Sequence, residues 1–155
     1  IDAQRQLAYL TLYGSLGSTQ VTASRAIGVI DLKAPAAGLA RFIALGTAAA
    51  DTDGNPEADR LVGCGDTLYV TLQDLDRKRS YVAASPGRLA VLNLSSPSTP
   101  SYIELAGENP SGVISVPLIV GGLRVLSLLS VETGEMAARS GGLGRSCSGD
   151  RAMIK

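Results

Sequence analysis

AYLTLYG at residues 8–14 and LYVTLQD at residues 68–74 are two versions of one strand, with Tyr9, Thr11 and Leu12 falling on Tyr69, Thr71 and Leu72. Both alternate apolar with polar or small side chains, the period that gives a strand two different faces. The likeness continues downstream in the same order, IGVIDL (27–32) against LAVLNL (89–94), then FIALG (42–46) against YIELAG (102–107). Each version then reaches Asn-Pro, at Asn55-Pro56 and Asn109-Pro110. An apolar run and a glycine-rich turn follow, GCGD (63–66) in one case and Gly121-Gly122 in the other. Self-similarity at a period of about sixty residues marks a repeat architecture. Labelling the strands of a unit a to d, the chain reads b, c, d, then a, b, c, d, then a, b.

Composition agrees with short strands between turns. Among 155 residues are 18 Gly and 7 Pro, and long amphipathic stretches preceded by capping residues are few. The 14 basic and 14 acidic residues cancel, so no net charge draws the chain to nucleic acid or an anionic membrane. Histidine is absent altogether. That removes the commonest general base, the Ser-His and Cys-His pairs, and His-ligated zinc, copper or haem. The most apolar stretch, SGVISVPLIVGGLRVLSLLSV (111–131), is broken by Pro117, Gly121, Gly122 and Arg124. It reads as two buried strands about a Gly-Gly turn, since a spanning helix needs about 20 largely uninterrupted apolar residues. Cys64 and Cys147 fit neither a Cys-x-x-Cys motif nor a zinc ribbon and are either two buried thiols or one disulfide. Ile1 in place of an initiator Met suggests a processed or excised piece.

The Tyr-Val-Thr strand, the VIDL-like strand and the closing I-x-L-G with Asn-Pro, taken as an ordered set, resemble the YVTN-repeat propellers of bacterial surface and periplasmic proteins. The resemblance runs roughly from residue 7 to 131 and departs from the family pattern where Leu12 and Leu72 stand for the expected Asn. NHL or sugar-lactonase propellers share the blade and hold metal-binding carboxylates at their centre. The resemblance implies an all-β chain of four-stranded antiparallel β-propeller blades. Boundaries fall near residues 56 and 110, and 132–155 is an irregular tail or the start of a further blade. A propeller closes with about four to eight blades, so the ring is incomplete here and a companion chain or further segment is expected to complete it. A self-contained β-sandwich of about nine strands is the rival architecture. The function implied is a non-catalytic, extracytoplasmic binding or scaffold module. A lactonase-like metal-dependent hydrolase and a structural subunit of a multi-chain surface assembly are the alternatives.

In such a blade the b–c and d–a connections emerge on one face, and here the long loops all fall on it: 13–26, 73–88, the stretch at 132–150 and the two Asn-Pro loops. Long loops on a rigid frame are where partners bind, and a protein or surface polymer is the partner expected. Tyr13, Asp74, Asp76, Arg77, Arg79 and Tyr81 are the candidate contacts, although a solvated loop tip also accounts for the charge run 76–79. The most specific local feature is DTDGNPEAD (51–59), where oxygen-bearing side chains recur at Asp51, Asp53, Asn55, Glu57 and Asp59. Alternate side chains of a tight loop can converge on a hard cation such as Ca2+, which takes six to eight oxygens, and Gly54 permits the turn. This is not an EF-hand, because Pro56 holds the place of the invariant Gly and Val62 that of the closing Glu. Asp74 and Asp76, in the neighbouring loop, are expected to stand outside the metal site.

Overall fold

The computed structural model describes residues 1–13, 25–96, 99–105 and 107–108, together with the strand backbones at 118–120, 123–127 and 142–143. In chain order the strands are β1 (Leu7–Thr11), β2 (Ala26–Asp31), β3 (Leu39–Ala44), β4 (Ala58–Cys64), β5 (Thr67–Leu72), β6 (Leu75–Asp76), β7 (Val82–Ala83), β8 (Arg88–Asn93), β9 (Ser101–Glu104), β10 (Leu118–Val120), β11 (Leu123–Ser127) and β12 (Gly142–Leu143). Among the described residues no helix exceeds a single 3-10 turn, so the chain is all-β. Three antiparallel sheets follow one another along the sequence: β1-β2-β3, then β4-β5-β8-β9, then β10-β11-β12. The short β6-β7 hairpin stands inside the β5–β8 connection.

The first two sheets are built to one register. Tyr9 faces Val29 and Thr11 faces Ile27, as Tyr69 faces Val91 and Thr71 faces Leu89. On the next pair of strands, Ile27 faces Ile43 and Gly28 faces Phe42, as Leu89 faces Ile103 and Ala90 faces Tyr102. The matched positions within these strands thus recur at the same place in their sheets. The second sheet adds β4 along β5, where Gly65, at φ +56, permits the tight Gly65-Asp66 turn between them.

Sheet packing follows from the two faces of each strand. The first sheet turns Tyr9, Ile27, Val29 and Ile43 toward Leu68, Val70, Leu72, Ala90 and Leu92 of the second, and together these form the main core. On the far side of the second sheet, Tyr69, Leu89 and Val62 are buried in another cluster with Val91, Ile103 and Leu105. Tyr69, Leu89 and Ile103 are the repeat mates of Tyr9, Ile27 and Ile43. The Tyr9-bearing face of the first sheet thus packs on the opposite face of the second, the one that carries Val70, Leu72, Ala90 and Leu92. Full burial of each Leu, Ile or Val in this seam is worth roughly 1.5–3 kcal/mol before ordering costs.

Cys64, on β4, is disulfide-bonded, which resolves the alternative that spacing left open. Cys147, the other cysteine of the chain, lies outside the described residues, as do most of the loop at 13–26, the second Asn-Pro and the bulk of 132–155. The strand pairing Val120 with Leu123 around residues 121–122 agrees with two strands in the most apolar stretch. No helix among the described residues is long and apolar enough to cross a membrane.

Candidate functional site

The β3–β4 loop and the β5–β8 loop meet at one end of the sheets and are joined by hydrogen bonds. The Gln73 and Asp74 backbone N–H groups donate to the Glu57 and Pro56 carbonyls, at 3.3 Å each, and the Arg77 N–H donates to Asp53 Oδ2 at 2.7 Å. Thr52 Oγ1 donates to Asp76 Oδ2 at 2.8 Å, and Lys78 Nζ donates to the Thr52 carbonyl at 2.7 Å. Tyr13 Oη joins from the end of β1, donating to Gln73 Oε1 at 2.7 Å.

The period of two in the acidic loop has a local cause. Asp51 Oδ1 accepts from the Asp53 N–H, Asp53 Oδ1 from the Asn55 N–H, and Asn55 Oδ1, at 3.4 Å, from the Glu57 N–H. Each side chain caps the backbone two residues on, the habit of Asx turns. Gly54 sits within this series at φ +76, and a side chain there would run into the Arg25 guanidinium. The five oxygen-bearing side chains do not share one site. Asn55 and Glu57 turn inward, at 5% and 0% exposure. Asp59 is on β4, 3.7 Å from Arg60.

Asp51 and Asp53 do converge, and the third member of the group is Asp76 from the other loop. Their carboxylate oxygens lie within 4.8 Å of one another. Oxygens bound at 2.3–2.6 Å to one calcium stand at most about 5 Å apart, so the three fit around a common ion. Asp51 Oδ2 is shielded from solvent and has no hydrogen-bond partner among the described residues. Burial, reinforced by the charges of Asp53 and Asp76, pushes the Asp51 carboxyl above the usual carboxylate range. Burial also works against ionised Asp76, but hydrogen bonds from Thr52 and from the Lys78 and Arg79 backbones outweigh it and hold that group low. The cluster can bind a metal ion. Placing Asp74 and Asp76 together outside the metal site is thus corrected for Asp76, whose separation of 23 residues from Asp53 and 25 from Asp51 hid the contact.

Beneath the cluster lies a second arrangement. Asp74 is fully buried at φ +48 and holds Arg88 by two bonds of 2.6 Å, to Nε and Nη2. Arg88 Nη2 also donates to the Gly46 carbonyl at 2.9 Å, and the guanidinium lies 4.9 Å from the centre of the Tyr102 ring. Tyr102 Oη in turn accepts from the Gly46 N–H at 2.5 Å. Gly46, two residues after β3, is thereby clamped between β8 and β9 of the next sheet. Arg88 was not singled out from the sequence, and its place two residues after Pro86 gave no sign of this role.

The charge run at 76–79 is a capped turn that starts buried at Asp76 and ends exposed at Lys78 and Arg79. Asp76, fully buried, accepts from the Lys78 N–H and opens a 3-10 turn over Arg77–Arg79. Of the residues offered to a partner, Asp74 and Asp76 are therefore enclosed by the loops, and Arg77 is half-buried with Nε 3.3 Å from Glu57 Oε1. Arg79, Tyr81 and Tyr13 are exposed, the tyrosines at 61% and 54%.

Glu57, at φ +41, accepts from the Leu75 N–H at 2.8 Å. Burial raises its pKa to about 7; the charges of Asp53 and Asp51 add to this, while the Leu75 N–H and Arg77 oppose it. A folded-state value above the unfolded one means the native state keeps a proton that the unfolded chain releases, so stability falls as pH rises from about 4.5 to about 7. In chelator at pH 8, Glu57→Gln is expected to stabilise the protein by about 1–3 kcal/mol, and the gain should vanish near pH 5. Denaturant titrations of both proteins at the two pH values check this. Equal stability at pH 8 would contradict it.

Comparison of the chain with protein-family models, with curated proteins and with solved structures yields no match.

Proposed function

We propose that this chain is a segment of a β-propeller that serves as a non-catalytic, extracytoplasmic binding and scaffold module. It engages a protein or surface polymer through the end where the β3–β4 and β5–β8 loops meet, and Ca2+ at Asp51, Asp53 and Asp76 orders that end. The observation that carries the reading is the shared register of the first two sheets together with their packing of opposite faces, which is how successive blades stack. The bonded state of Cys64 supports an oxidising compartment. At the loop end, Tyr81, Tyr13 and Arg79 offer exposed aromatic area and charge on a hydrogen-bonded frame, the composition of an interface anchor.

Calcium should raise the melting temperature by about 5–10 °C at roughly a hundred times its Kd, by mass action on the folded state. The shift should vanish in Asp51→Ala with Asp53→Ala, and also in Asp76→Ala. In calcium, the chain applied to a peptide library and a glycan array should select ligands whose binding is lost in Tyr81→Ala with Arg79→Ala. No calcium effect on melting or on proteolysis at residues 48–57 removes the metal from the proposal. Ligands indifferent to Tyr81 and Arg79 remove the loop face. Turnover of lactones that depends on Asp51 would replace the whole reading with a lactonase-like hydrolase.

A further inference from the structure

Three successive hydrogen bonds stitch residues 56–57 to residues 73–75. The Gln73 and Asp74 N–H groups donate to the Glu57 and Pro56 carbonyls at 3.3 Å, and the Leu75 N–H donates to Glu57 Oε2 at 2.8 Å. The last and shortest of them is made by a side chain, so the Glu57 carboxylate stands in for a backbone carbonyl at the foot of the β6-β7 hairpin. Its other oxygen, Oε1, lies 3.3 Å from Arg77 Nε. Leu75 and Arg77 are the residues on either side of Asp76, and Glu57 belongs to the loop that carries Asp51 and Asp53. Glu57 therefore holds the third carboxylate of the cluster by both of its neighbours. It does so fully buried and at φ +41, a backbone conformation that residues with side chains seldom adopt and that persists only where the surroundings impose it.

We infer that Glu57 is a positioning residue of the cation site, setting Asp76 against Asp51 and Asp53 through Leu75 and Arg77 without giving an oxygen to the ion; the inference rests on the calcium reading above. The need for such a holder follows from the topology. Asp51 and Asp53 share one loop, whereas Asp76 arrives on a hairpin whose strands of two residues each supply little pairing to fix it. Three like charges repel, so an arrangement that suits an ion has to be imposed by the groups around them. Thr52 Oγ1 and the Lys78 N–H orient the Asp76 carboxylate, and the Arg77 N–H orients that of Asp53. Glu57 fixes the backbone from which Asp76 projects. What this role requires of residue 57 is an oxygen within reach of the Leu75 N–H, and not a charge.

Calorimetric titration of calcium into the full chain at pH 8, well below the melting temperature, is the test, with Glu57→Ala, Glu57→Asp and Glu57→Gln beside the wild type. Asp keeps the charge but is one methylene short; Gln loses the charge and keeps an oxygen at full reach. Glu57→Ala and Glu57→Asp should weaken calcium binding about tenfold or more, the usual cost of losing a group that orients a metal ligand, and Glu57→Gln should stay within about threefold of wild type. Terbium, as a luminescent substitute for calcium, gives a second readout, because its lifetimes in H2O and D2O count the waters on the ion. The Ala and Asp variants should show extra bound water, as Asp76→Ala should, and the Gln variant none beyond wild type. A purely stabilising Glu57 would leave that count unchanged. Should Glu57→Ala not fold, the contrast between Asp and Gln decides. Binding weakened in Glu57→Gln and kept in Glu57→Asp makes charge the cause and overturns the inference, as does wild-type affinity in all three variants; in both cases the calcium site stands. A wild-type chain that takes up no calcium overturns the calcium reading and the role of Glu57 with it.

Discussion

Asp74→Ala is expected to destabilise the protein by about 3–5 kcal/mol, because it leaves the Arg88 guanidinium buried without its carboxylate. The two bonds of 2.6 Å that Asp74 makes are the only interactions among the described residues that neutralise Arg88. The remaining contacts of Arg88, to the Gly46 carbonyl and the Tyr102 ring, carry no formal charge. Removal of one partner of such a pair costs more than the pair contributes, so Asp74→Leu combined with Arg88→Met should recover most of the loss. Denaturant unfolding of the three variants measures both numbers. A mild Asp74→Ala would show that Arg88 finds another carboxylate or reaches solvent. The pair between Arg5 and Asp66 gives the contrast: at 2.6 Å it is as short, yet Asp66 is 66% exposed and solvent screens it, so its removal should cost far less.

Leu72→Ala should lower stability by about 2–5 kcal/mol through the lost transfer energy and the cavity left between the sheets. Its repeat mate Leu12, on the open face of the first sheet, should cost less than about 1.5 kcal/mol, since it is half-buried and can be partly replaced by water and by Leu39. The same residue type at the same register position is thus expected to differ severalfold, according to whether the neighbouring sheet is present. Urea midpoints for the two variants give the comparison directly.

The repeat was legible because strand faces are written in a local alternation. Tyr9 and Tyr69, or Ile27 and Leu89, can be aligned without any long-range knowledge, and pairing register follows from which face must be buried. The loop end was legible only in part. That Asp51 and Asp53 converge could be anticipated from their spacing, but Asn55 and Glu57 follow the same spacing and turn inward, Asn55 onto the Glu57 amide and Glu57 onto the distant Leu75 amide. Asp76 reaches the cluster through the β6-β7 hairpin, whose strands of two residues each are too short to leave a periodic signature. Asp74 looked like one more surface acid in a charged loop. Its burial depends on Arg88 arriving from β8, a tertiary coincidence that no local pattern encodes.

The meander order of the sheets bears on how the protein acquires its structure. In both of the first two sheets each strand pairs with the strand next to it in sequence, except where β6-β7 intervenes, so the loops closed within a unit are short. Contacts between units reach only the adjoining sheet in the described core. Folding can then begin in any one unit and spread to its neighbour as a nearest-neighbour process, with rates set more by local pairing than by chain length. The first sheet, open on one side, would be the earliest to exchange its amide hydrogens, while β5 and β8, central in their sheet and covered on both faces, would be the last to let solvent in.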